Sequence, residues 1–291
     1  TVTVSPDDPK TPADAMPDNP AKKFPAGVAA SDLNKTITRT IILHLPDQTT
    51  KTIKQQVTFQ RKAIVDEVSG AIDYQAWTVK KDDSADFASV AASDFADQLT
   101  EAQRAGLVGY TPTLPAPALK VQQSDQDSTF DISYTANPQK AGLILVDDDA
   151  QGAQLKALTA NGKFGQAIDF SQKGQSLADL IAVLARQHYL VNSTATDNFD
   201  YQTGANYQAD DAKNQFVIHF VHEKIPTQRT ATITRTVHYQ YENGQLADED
   251  QVAQQVVTQT GEKDLVTNQE HYDQRWSANV AFAAGRLPSY V

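Results

Sequence analysis

Cysteine is absent from the 291 residues, which excludes a disulfide framework, a thiolate zinc site and a cysteine nucleophile. No stretch approaches the ~18 consecutive apolar residues of a membrane-spanning helix, so bilayer insertion is not expected. Positive charge is in deficit: 25 Lys and Arg stand against 36 Asp and Glu, a net −11. Nucleic acid and anionic membrane surfaces are therefore repelled over most of the molecule. The opening Thr1-Val2-Thr3-Val4 has neither the basic region nor the apolar core of a secretory signal, and reads as a piece of something longer. Nucleotide-binding G-x-G-x-x-G and P-loop patterns are missing, as are H-E-x-x-H and G-x-S-x-G, and no single carboxylate pair stands out. An enzyme is accordingly not expected.

What is present suits folded domains. Hydrophobic residues make up 40% and charged residues 21%, enough for cores in two domains or three small ones. Pro6, Pro9, Pro12, Pro17, Pro20 and Pro25 follow one another too closely for a helix or central strand. Residues 5–30 therefore read as a semi-stiff linker, after Thr1–Val4 as the last strand of a preceding unit. An internal repeat follows. Ile37-Thr38-Arg39-Thr40-Ile41 returns as Ile233-Thr234-Arg235-Thr236-Val237, an offset of 196 (233 − 37). Gln55-Gln56-Val57 returns as Gln254-Gln255-Val256, and Tyr74 with Trp77 as Tyr272 with Trp276. The second copy stops at Val291, before an equivalent of Phe130–Tyr134.

Period-two patterning predicts strands at 37–43, 56–61, 71–78 and 130–135, with a Ser69-Gly70 turn and a helix near 94–105 that stops at Gly106. The middle segment opens on a strand at 141–146 and closes on another at 215–222. Between them, Leu177, Leu180, Ile181 and Leu184 make one apolar helical stripe over 175–188, with Ser176 and Asp179 as a capping box. Two strands, a crossing helix and two more strands is a β-grasp order. The overall class is α+β, mainly β: tandem elongated domains, with a β-grasp (ubiquitin-like) domain beside mixed-sheet repeat domains. The boundaries fall at 1–35, 36–137, 138–224 and 229–291, the last a truncated second copy.

Candidate chemistry is sparse. His219 and His222 form H-x-x-H, but three apart on a strand they face opposite ways and do not share a metal. Asp147, Asp148 and Asp149, with Asp197, Asp200, Asp210 or Asp211, offer oxygen ligands for calcium, though without the alternating spacing of an EF-hand loop. Otherwise no cofactor is expected. Tyr74, Trp77 and Tyr110 are the aromatic candidates for stacking on a sugar or anchoring a partner. Three apart on a strand, Tyr74 and Trp77 are expected to face opposite ways.

These residues carry a resemblance. Thr38–Ile41, Gln55-x-Val57-x-Phe59-x-Arg61, Val65-Asp66-x-Val68-Ser69-Gly70, the Tyr74–Trp77 pair and Gly109-Tyr110-Thr111 resemble the second-type domain of the mucus-binding repeats of lactobacilli. The middle segment resembles that family's first-type, mucin-binding domain. The match lies in Lys140-Ala141, the acidic turn at 147–152, Gly162-Lys163-Phe164-Gly165, Asp210-Asp211 and Gln215–His219. The opening through Ser31–Lys35 is similar to the inter-repeat linker. The resemblance implies a fragment of a cell-wall-anchored, extracellular adhesin of a Gram-positive commensal. It would bind mucin glycoproteins weakly per repeat, with avidity from tandem copies. Immunoglobulin capture and a passive stalk are the alternatives. The fragment is expected to be mostly monomeric, with strand exchange open to the first strand and the truncated third domain.

Overall fold

The computed structural model describes residues 1–278 and 280–283. The chain divides into two compact units: Thr1–Pro138 with Lys163–Gly165, and Gln139–Gly162 with Gln166–Val291. Both are mostly β.

The first unit is organised by one hairpin, Asn34–His44 against Thr50–Gln60, paired over 11 residues without a break. Alternation puts Ile37, Arg39, Ile41 and Leu43 inward and threonines outward, as the period-two pattern predicts. Ser128–Ala136 lies parallel to Asn34–His44, with Phe130 opposite Ile41. Tyr110–Pro112 and Thr78–Val79 complete the five-stranded sheet. Ile41, Leu43 and Ile132 pack against Phe95, Leu99 and Ala116. The stretch expected as one helix is two pieces, a 3-10 turn at Ala92–Gln98 and an α-helix at Glu101–Ala105. The break occurs because Thr100 starts afresh: its hydroxyl accepts from Gln103 N while Gln103 Oε1 accepts from Thr100 N, both at 3.1 Å.

Residues 1–35 differ from the stiff tether expected of them. Val2–Val4 pairs antiparallel with Ala63–Val65, which pairs in turn with Ile72–Tyr74. A short hairpin, Ala15–Met16 with Asn19–Lys23, and a helical turn at Ala30–Leu33 close over it. Val4, Met16, Phe24, Val28 and Leu33 are buried with Ala63 and Val65. These apolar residues recur at no fixed period, so the prolines dominate the sequence reading while the burial is set by a strand some 60 residues on. Pro6, Pro12 and Pro17 sit in turns and Pro20 in the short two-stranded hairpin, where a missing N–H is tolerated, and Pro9 and Pro25 lie outside any strand.

In the second unit a four-stranded sheet runs in the order Ala153–Lys163, Pro138–Asp147, Gln215–His222, Tyr189–Val191. The central pair is parallel. The helix Leu177–Arg186 is capped as predicted, Ser176 Oγ accepting from Asp179 N at 3.1 Å. Its stripe of Leu177, Leu180, Ile181 and Leu184 packs on Leu143, Leu145, Ile218 and Phe220. After Glu223 the chain enters a long hairpin, Lys224–Gln240 with Leu246–Asp264, followed by Glu270–Tyr272. This hairpin repeats the first one, with a correction to the sequence match. Ile37 pairs with Val57, but Ile233 pairs with Gln255, so the second strand is offset by 198 (255 − 57). Matching Gln55-Gln56-Val57 to Gln254-Gln255-Val256 is therefore one residue out, and Val257 rather than Val256 points inward. Register irregularities near Tyr239 accompany the changed turn.

Arg39 is the charged member of the inward stripe of the first hairpin and only 3% exposed. Its guanidinium donates to Gln55 Oε1 (2.6 Å), Ala88 O (2.6 Å) and Pro117 O (2.6 Å), and lies over the Phe87 ring. One side chain thus fastens two loops to the sheet. Arg39→Ala is expected to cost about 2–4 kcal/mol in urea unfolding, because it strands these buried acceptors. Arg39→Lys is expected to recover little, since an ammonium cannot span the fork.

Candidate functional site

The strand Ile72–Tyr74 stops before Gln75 and the chain resumes strand pairing at Thr78–Val79. That break overrides the alternation expected of Tyr74 and Trp77. Both rings reach the guanidinium of Arg61, whose central carbon is 3.6 Å from the Tyr74 centroid and 4.5 Å from that of Trp77. Arg61 leaves the end of the first hairpin, where its Nε donates to Asp32 O at 2.9 Å. Tyr74 is 38% exposed, and its hydroxyl donates to Gly27 O at 2.7 Å. Trp77 is half-buried against Ile37, Val57, Phe59 and Phe87. Cation–π contacts of this kind hold both rings at fixed pitch. Alongside lies a surface cleft of about 370 Å³ lined by Gln60, Arg61, Lys62, Gln75 and Lys81. Tyr110 does not join this group. It is half-buried and packs edge-on to Phe164 at 5.3 Å.

The second copy rebuilds the contact with the arginine on the opposite strand. Arg229 lies 4.4 Å from the Tyr272 centroid and 5.4 Å from that of Trp276. By hairpin register Arg229 occupies the place of Leu33, and Gln259 that of Arg61. Gln259 is buried; it accepts from Arg229 Nε at 2.7 Å and donates to Asp273 O. A cleft of about 560 Å³ flanks Trp276 itself, lined also by Thr258, Thr260, Asp273 and Arg275. Sequence spacing shows the recurring Tyr and Trp. It conceals the arginine, which changes strand between copies.

The acidic turn has a different environment. Asp147 Oδ2 is 2.9 Å from His222 Nε2, and Asp264 Oδ2 is 2.5 Å from His222 Nδ1. Both ring nitrogens face carboxylates, an arrangement that favours the imidazolium, which donates from both. Asp148 pairs with His219 Nδ1 at 2.8 Å and accepts from Asn192 at 2.7 Å. Asp149 accepts from Lys224 Nζ and from His222 N, each at 2.7 Å. The three carboxylates fan out to three separate basic side chains, His222, His219 and Lys224. Among the described residues no group of three acidic or histidine side chains converges as a metal site would. His219 and His222 do point to separate partners.

Burial pushes the His222 imidazole down, but hydrogen bonds and charge from Asp264 and Asp147 overcome it, and its pKa is raised. Burial likewise opposes ionisation of Asp264. Hydrogen bonds from His222 and the amides of Thr267 and Val266 prevail and lower its pKa to about 2. The hydrogen bond to Asp148 raises His219, and the same bond lowers Asp148.

A raised histidine stabilises fully below its unfolded value, ~6.5, and loses that contribution as pH climbs through its folded pKa. A depressed aspartate stabilises above its unfolded value, ~3.9, and loses that contribution as pH falls. The second unit is therefore expected to melt highest between about pH 4 and 6.5, by calorimetry across pH 3–9. His222→Gln is expected to cost about 3–5 kcal/mol, because it leaves two carboxylates facing each other, and to flatten the alkaline limb.

The Muc B2-like domain family matches residues 28–138 and 224–290, and a mucin binding domain family matches residues 139–222. Among solved structures, the type 2 repeat of the mucus binding protein MUB from Lactobacillus reuteri is 26% identical. It covers 48% of this chain and 76% of its own, with a TM-score of 0.35. The MucBP domain of an adhesion protein from Pediococcus pentosaceus is 26% identical over 35% of this chain and 99% of its own, TM-score 0.26. The mucin-binding domain of Spr1345 from Streptococcus pneumoniae is 18% identical over 36% and 92%, TM-score 0.27. No curated protein matches. The chain belongs to the Muc B2-like domain family, two copies of which flank a mucin binding domain, and it is a mucus-binding repeat.

Proposed function

We propose that this chain is an extracellular adhesion module of a Gram-positive commensal that holds host mucin glycans weakly at each repeat and firmly through tandem copies. The observation that carries the reading is the recurrence of one surface device. In both Muc B2-like copies a Tyr–Trp pair is pinned by an arginine, with an open cleft against the arginine in the first copy and against the tryptophan in the second. Aromatic rings held rigid beside wet, shallow surface clefts suit sugar rings, which present apolar faces and hydroxyl edges together. Tyr74 and Trp77 are the contacts we assign in the first copy, with Trp276 in the second. Tyr110 is a separate candidate contact. The strand order of the middle domain, with its helix crossing the sheet, supports the β-grasp reading. Avidity then converts shallow sites into retention.

Surface-immobilised mucin, intact or enzymatically deglycosylated, tests the reading. The full chain is expected to bind the intact form only. Trp276→Ala is expected to weaken binding roughly three- to tenfold, the worth of one stacking contact. Because the protein and sialylated mucin are both anionic, added salt is expected to leave binding unchanged or strengthen it. Equal binding to deglycosylated mucin overturns glycan recognition, and glycan-independent binding to immunoglobulin assigns capture instead. Binding to neither assigns a stalk.

A further inference from the structure

The two Muc B2-like copies share a turn whose role differs between them. Asp264 Oδ1 accepts from Val266 N (2.8 Å) and Thr267 N (3.0 Å), and Asn268 takes a left-handed φ of 59°. Asp66 Oδ1 accepts from Val68 N (2.7 Å) and Ser69 N (3.1 Å), and Gly70 takes φ 77°. The ladder bonds agree as well: Asp264 N donates to Gln269 O at 2.8 Å, and Asp66 N to Ala71 O at 2.9 Å. The offset is 198 (264 − 66), the same as along the hairpin strand.

The neighbouring strand also corresponds. Val2, Thr3 and Val4 pair with Val65, Ile64 and Ala63. Ile225, Pro226 and Thr227 pair with Lys263, Glu262 and Gly261. Val2–Val4 therefore occupies the place of residues 225–227, and Thr1 that of Lys224. In the second copy this strand arrives directly from the mucin binding domain, and its His222, two residues before Lys224, donates to Asp264 Oδ2.

We propose that the Asp66 turn is a docking surface for the end of a second mucin binding domain, one like residues 139–222, whose terminal-strand histidine donates to Asp66 as His222 does to Asp264. The joint is thus a repeating element: each Muc B2-like copy offers an aspartate turn, and each mucin binding domain offers the cation. This assignment is independent of what the module binds.

The test joins a second copy of residues 139–223 directly ahead of Thr1 in the full chain, which restores the two-residue spacing, and follows histidine titration by NMR. The added histidine is expected to titrate above an exposed imidazole. Asp66→Asn keeps the Oδ1 acceptor of the turn, and is expected to lower the added histidine's midpoint while leaving that of His222 unmoved. Asp264→Asn is expected to do the reverse. A double-mutant cycle on melting temperature, pairing Asp66→Asn with the added histidine changed to Gln, reads the same contact without relying on one variant. An added histidine that titrates like an exposed imidazole, a midpoint indifferent to Asp66→Asn, or a strictly additive cycle each overturns the docking assignment.

Discussion

Strand register is the constraint on which the rest of this chain depends. In an antiparallel pair a slip of one residue sends every inward side chain out to solvent. The first hairpin holds its register over 11 unbroken pairs. That run aims Ile37, Arg39, Ile41 and Leu43 at the core and delivers Arg61, one step past the last strand residue, onto Tyr74 and Trp77. The second hairpin keeps the same facing along Lys224–Asp264 and delivers Arg229 to Tyr272 and Trp276 from the other strand. What the copies share is a geometric outcome, an arginine over two rings, rather than a residue at a position.

Cations are handled in three ways, each fitted to its burial. Arg39 is enclosed and takes carbonyl and amide oxygens as acceptors. Arg61 is half-exposed and rests on aromatic faces. His222 is buried between two carboxylates, one from the sheet of the mucin binding domain and one from the turn after the long hairpin. The last arrangement carries the heaviest desolvation. It joins elements on either side of Glu223 into one cluster together with Lys224 and Asp149, two cationic side chains among three carboxylates.

Much of the fold is legible in the sequence where the signal is periodic and local. The stripe on Leu177–Arg186 and its Ser176 cap, the alternation of Asn34–His44 and the internal repeat can each be read within a short window. The legibility fails where the deciding partner is distant. Val4 is buried by a strand some 60 residues away, so the prolines between them suggest a tether. Tyr74 and Trp77 share a guanidinium only because the strand breaks between them. The acidic run at 147–149 resembles an oxygen cage until His219, His222 and Lys224 are placed around it, and their sequence separations of about 70 residues carry no local pattern. The repeat itself misleads by one residue at Gln254–Val256, because identity of letters does not register a changed turn.

One feature of the mucin binding domain bears on mechanics. The chain enters through Pro138–Asp147 and leaves through Gln215–His222, and these neighbouring strands run parallel, joined from Gly142 opposite Gln215 to Asp147 opposite Phe220. Tension applied to the two ends of such a domain drags these strands past each other lengthwise. The bonds of that ladder are then loaded together and yield as a set, whereas a hairpin pulled from its open end peels apart one bond at a time. A domain threaded in this way resists tension along the line joining its two ends.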